Sequence, residues 1–128
     1  MKALVIPISF KDKPRFIDVP KGKELQTYYA TINCRVIDYV ELHYDSTTHK
    51  TIDCVVDDEG LFDSKPNDYW ARAYLFGLVP APLFGITIIV MSNLNNGESV
   101  GVNFNKVKSV LISEFGFTES DFDNCKGI

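Results

Sequence analysis

Arg35-Val36-Ile37-Asp38-Tyr39-Val40-Glu41-Leu42-His43-Tyr44, Asp45-Ser46-Thr47-Thr48 and Thr51-Ile52-Asp53-Cys54-Val55-Val56 are the three runs that decide the fold class. The outer two are rich in β-branched and aromatic residues, and the middle one is made of turn formers. Val36, Val40 and Leu42 would line one face of the first strand, and Ile52, Cys54 and Val56 one face of the second. An antiparallel hairpin is expected here.

Upstream, Lys2 to Phe10 reads as a strand rather than a leader peptide, with Pro7 marking an edge position or a break. Arg15 to Val19 alternates and reads as its hairpin partner, ended by Pro20 and Gly22. Leu25, Tyr28, Tyr29 and Ile32 recur at helical spacing, so Lys23 to Ile32 is expected to be a helix closed by a left-handed Asn33.

Downstream, Asp57-Asp58-Glu59-Gly60 is an acidic turn. A helix is predicted from Pro66 to Phe76, capped by Ser64 or Asn67 and stopped at Gly77. Leu83 to Met91 reads as a strand with a bulge or close approach at Gly85, and Ser92 to Gly101 as a polar loop. Asn103 caps a last helix to Phe115, with Val107, Val110, Leu111 and Phe115 inward and Gly116 as its stop, before an acidic tail. The order ββαββαβα predicts one α+β domain over residues 1–128, a mainly antiparallel sheet of about five strands with three helices.

Composition narrows the function. Apolar residues make up 45% of the chain, enough for one core. A formal charge of −4 is wrong for a duplex nucleic-acid binder, which needs a basic face. No apolar run is long enough to span a membrane. Three cysteines with no C-x-x-C pair exclude a zinc ribbon and point to a reduced, cytoplasmic protein with spectator thiols.

Catalytic and metal constellations are weak. His43 and His49 flank the hairpin turn and could face each other, but Asp45 is the one further ligand in view. The Asp57–Glu59 run lacks the alternate ligand positions of a calcium loop. Cys54 falls in an apolar strand, where thiols are inert. Glu41 and Asp53 are carboxylates for which the sequence offers no geometry. No catalytic residue, metal or cofactor is assigned.

Asn67-Asp68-Tyr69-Trp70-Ala71-Arg72-Ala73-Tyr74 is different, because it sets three aromatics and one Arg on a short helix. Trp70 and Tyr74 share one face and Tyr69 and Arg72 another. A ring to stack on and a guanidinium to pair with are what a base-plus-phosphate ligand needs. The same pattern describes an amphipathic helix with a core Trp, and both readings are open at this point. Trp70, Arg72, Tyr69, Asn67 and Arg35 form the candidate ligand set, with Arg15 and the Asn93-Asn95-Asn96 loop as weaker rim candidates.

Leu25-Gln26, Ile32 to Glu41, Asp58-Glu59-Gly60, Pro66-Asn67 and the β-rich run from Phe84 through Gly85 to Val90 together resemble the domain-of-unknown-function family numbered 3846. The resemblance runs from Pro14 to Ser92 and departs where the family often carries Gly-Gly and this chain has Asn33-Cys34. It implies an accessory protein of a phage or mobile element, working in the host cytoplasm, and it carries over no catalytic residues. The expected function is therefore a non-enzymatic, homo-oligomeric binder that sequesters a small nucleotide-derived immune signal. The alternative is a protein–protein inhibitor of a defence factor, docking through the Asp57–Glu59 turn or the Glu119–Asp123 tail.

Overall fold

A computed structural model describes residues 1–7, 12–58 and 86–125. In chain order the elements are strands β1 (Lys2–Ile6) and β2 (Arg15–Asp18), helix α1 (Glu24–Ile32), and strands β3 (Ile37–Asp45) and β4 (Lys50–Asp57). Strands β5 (Thr87–Asn93) and β6 (Glu98–Val100), helix α2 (Phe104–Phe115) and a 3₁₀ segment, Glu119–Cys125, follow. The fold is α+β, as expected. The predicted Pro66–Phe76 helix, its Gly77 stop, Gly85 and the end of the first strand at Ile8 to Phe10 lie outside the described residues.

All described strand pairings are antiparallel, in the order β2-β1-β5-β4-β3, with β6 also beside β5. β5 is thus the central strand, and β3 and β4 form the hairpin read from the sequence. β1 stops at Ile6, just before Pro7, whose ring nitrogen has no proton to give a ladder. Pro7 marks a break, and β1 is an interior strand between β2 and β5.

Both faces of the sheet are covered. Leu4, Ile6, Ile52, Cys54, Ile89 and Met91 pack beneath Val107, Val110, Leu111 and Phe115 of α2, together with Phe117, Phe122 and Cys125. Ala3, Val5, Val55, Ile88 and Val90 point the other way, onto Tyr28 and Ile32 of α1. Successive strand residues face opposite sides, so a sheet buried on both reads as a continuous apolar run rather than an alternating one. That is why Ala3–Ile6 in β1 and Ile88–Met91 in β5 are unbroken apolar runs. Each fully buried Leu or Ile contributes roughly 1.5–3 kcal/mol to holding the three layers together.

Local chemistry sets the helix ends. Asn33 closes α1 in the left-handed region at φ 61°, its N–H donating to Tyr29 O. The Asn103 side chain accepts the Lys106 N–H at 3.2 Å at the start of α2, and Gly116 ends it at φ 80°. All three were legible.

Two features depart from the sequence reading. The expected Ser92–Gly101 loop is a tight hairpin, in which β6 pairs Met91↔Val100 and Asn93↔Glu98. The β3–β4 register also shifts between Glu41 and His43, leaving Leu42 as an extra residue. Val40 and Leu42 join the α2-side core as expected, whereas Val36 is 44% exposed. Among the described residues, no helix is long and apolar enough to cross a membrane.

Candidate functional site

Of the candidate ligand set, Asn67, Tyr69, Trp70 and Arg72 lie outside the described residues, and Arg35 lies within them. Arg35 is exposed at the corner between α1 and β3, two residues after the left-handed Asn33. The Asp58 N–H donates to Val36 O at 2.9 Å, extending the β3–β4 ladder by one pair to the point where the chain leaves towards residue 59. Asp57 stands opposite Ile37 in the same ladder. Burial, and then Asp57, raise the Cys34 thiol pKa at this corner, so it holds its proton more firmly than an ordinary thiol.

A second polar group joins two carboxylates whose pairing the sequence could not show. Glu41 and Asp53 are direct cross-strand partners, and both face the α1 side of the sheet. Asp53 is only 9% exposed, and its Oδ2 accepts hydroxyl hydrogen bonds from Ser92 at 2.8 Å and Thr51 at 3.2 Å. Ser92 and Thr51 are themselves paired between β5 and β4. A buried carboxylate is tolerable when donors converge on it, and these two hydroxyls are those donors. Tyr39 lies one pair along on the same face. Burial first, then the charges of Asp53 and Glu24, push its phenol above the ordinary range. The arrangement fixes an acceptor and holds nearby hydroxyls protonated. It does not assemble a base beside a nucleophile with a third group to orient it.

The histidines do not face each other. The extra residue at Leu42 turns His43 towards α2, where Nδ1 meets Glu114 at 3.1 Å. His49, at φ 55°, bonds through Nδ1 to the Tyr44 hydroxyl at 2.9 Å. Tyr44 pairs with Thr51 and so lies on the opposite face. Asp45 caps the turn at Thr47 N–H and pairs with Lys106 at 3.5 Å. Among the described residues, no three His, Cys, Asp or Glu side chains come together to hold a metal ion.

The other candidates are engaged locally. Asn93 and Asn96 spend their side-chain oxygens on the backbone N–H groups of Asn95 and Glu98 in the hairpin turn. Arg15 is exposed on β2, on the far side of the sheet from Arg35 and β3. The acidic tail is built into the fold: Glu119 pairs with Lys108, Asp123 with Lys13 at 3.1 Å, and Asp121 accepts the Thr118 N–H. A cavity of about 750 Å³ opens between Lys21, Glu24 and Glu98. Met1, whose ammonium donates to Val19 O at 2.9 Å, and Lys21 stand against the Glu24 and Glu98 carboxylates there, so the lining carries no excess of positive charge for a phosphate.

Burial lifts the Cys54 thiol to about 12, which leaves it inert in the core as expected. Compared with protein-family models, curated proteins and solved structures, the chain matches none of them.

Proposed function

We propose that this protein is a non-enzymatic accessory protein of a phage or other mobile element, which binds a nucleotide-derived immune signal and withholds it from host defence. The observation that supports it is the corner at Arg35. An exposed guanidinium stands where the chain enters the segment bearing Asn67, Tyr69, Trp70 and Arg72, and the Asp58–Val36 backbone bond ties the two stretches there. A base stacks on a ring while a phosphate takes a guanidinium, and the sequence supplies both residue types in Tyr69, Trp70, Arg72 and Arg35. With a net charge of −4, an anion needs such a local site. The mobile-element origin rests on the family resemblance. An assembly of copies would enclose a small anion better than one shallow face.

Thermal unfolding against nucleotides, cyclic dinucleotides and ADP-ribose derivatives tests this. A ligand at about a hundred times its Kd adds roughly 2.7 kcal/mol, or several degrees for a domain of this size. Arg35→Ala and Arg72→Ala should remove the shift while leaving the unliganded midpoint in place. Silence across the whole panel would refute the proposal.

A further inference from the structure

Asn96 is the one asparagine in the sequence that is followed by glycine. That pair is chemically labile. With no side chain on the following residue to obstruct it, a backbone nitrogen reaches the preceding side-chain amide, and the ring that closes expels ammonia. The rate depends on how the two reacting groups are held, and the β5–β6 turn holds both.

Leu94-Asn95-Asn96-Gly97 is a four-residue loop between the paired Asn93 and Glu98. The Gly97 N–H donates to Asn93 O at 2.7 Å, and Gly97 closes the loop in the left-handed backbone, φ 71°, which glycine adopts without strain. The Asn96 Oδ1 accepts the Glu98 N–H at 3.0 Å, and the Asn93 Oδ1 accepts the Asn95 N–H at 2.9 Å. The Leu94 N–H donates to His49 O at 3.1 Å, which ties this turn to the β3–β4 hairpin. Attacker and target are thus each engaged. The Gly97 nitrogen must give up a proton that now bonds Asn93 O, and the Asn96 amide must leave the Glu98 N–H to swing onto that nitrogen. Both residues are exposed, so water has access once they are released.

We infer that Asn96 is a deamidation site whose reaction is gated by opening of the β5–β6 turn. In the open turn the Gly97 nitrogen gives its proton to solvent base and bonds to the side-chain amide carbon of Asn96. The carbon–nitrogen bond of that amide breaks, and ammonia leaves with a proton taken from water. A water molecule then opens the five-membered imide at one of its two carbonyls. The product at position 96 is an aspartate or, where the main chain is rerouted through the side-chain carbon, an isoaspartate. Solvent supplies every reactant. Either product sets a new carboxylate two residues before Glu98, which lines the cavity shared with Lys21 and Glu24. The isoaspartate also lengthens the main chain of the loop by one carbon, which works against the Asn93↔Glu98 pairing. This site is separate from the nucleotide reading and stands or falls without it.

The test incubates three samples in one mildly alkaline buffer: the full chain, the full chain unfolded in urea, and a synthetic peptide of residues 92–100. Peptide mapping by mass spectrometry follows each asparagine. Asn96 should convert before any other asparagine in all three. The folded chain should react at least about tenfold more slowly than the peptide, because only its open fraction reacts. Asn93→Ala removes the bond to the Asn95 N–H, and it should speed conversion in the folded chain while leaving the rate in urea unchanged. Equal rates in the folded chain and the peptide would overturn the gate, as would an Asn93→Ala chain that reacts no faster. Earlier conversion at another asparagine would overturn the site itself.

Discussion

Glu41 and Asp53 stand directly opposite each other in the β3–β4 ladder, so two carboxylates meet across the strands on the face that carries α1. Their environments differ sharply. Asp53 is buried and accepts two hydroxyl hydrogen bonds, whereas Glu41 is exposed.

Like charges directly opposite in a ladder cost stability, and Glu41 is the partner that can change without disturbing the core. Glu41→Lys is expected to stabilise the protein by about 0.5 kcal/mol, the scale of an exposed cross-strand pair. Urea unfolding checks this through the midpoint. A lower midpoint would mean that the Glu41 charge is held by something other than its ladder partner.

Ser92 should matter more than an ordinary surface serine. Its hydroxyl is the shorter of the two donors to buried Asp53, at 2.8 Å. Ser92→Ala is expected to cost about 1.5–3 kcal/mol, the range for a hydrogen bond to a charged group. Ser92→Thr keeps the hydroxyl and should recover most of it. Chemical denaturation of the pair separates the hydrogen bond from a mere change of shape.

Phe122 anchors the tail. Only 2% exposed, it lies with ring centroids 6.0 Å from Phe104 and 5.9 Å from Phe117. Phe122→Ala should cost about 3–5 kcal/mol, as for other buried aromatics. Removing everything after Phe117 should be worse, since Cys125 and the Lys13–Asp123 pair go too. A truncated chain that kept its thermal midpoint would show that the tail is an appendage.

The thiols and one phenol make stability fall in alkali. Burial raises Cys54 from the ordinary 9.0 to about 12, and Tyr28 from 10.0 to about 12. Well below pH 9 both groups are protonated in the folded and unfolded chains alike. Above it the unfolded chain releases protons that the folded chain retains, so stability should decline as pH rises towards 12. Native-state labelling at pH 8 should modify Cys34, which is partly exposed, well before buried Cys54 and Cys125. Urea midpoints across pH 8–11 and mass spectrometry of the labelled chain read the two effects.

Several elements were legible because short-range chemistry governs them. Asn33 and Gly116 end helices through their tolerance of left-handed backbone, and Asn103 starts one by accepting an orphan N–H. The β3–β4 hairpin announces itself through two β-rich runs around a polar turn. Composition and residue order were enough for the α+β class and for naming Arg35, Glu41 and Asp53 as residues to watch.

Only the tertiary structure decided how those residues meet. The single extra residue at Leu42 sends His43 to α2 and leaves His49 with Tyr44 on the other face, undoing a pairing that sequence proximity suggested. Asp53 finds Ser92 thirty-nine positions away because β4 and β5 are neighbours. β3 comes last in the order of described strands because β5, not β3, occupies the middle of the sheet. Helix ends are settled by backbone groups a few residues apart, so the chain carries their instructions locally. Register, strand order and sheet face depend on pairing between distant segments, and one residue of slip exchanges the faces.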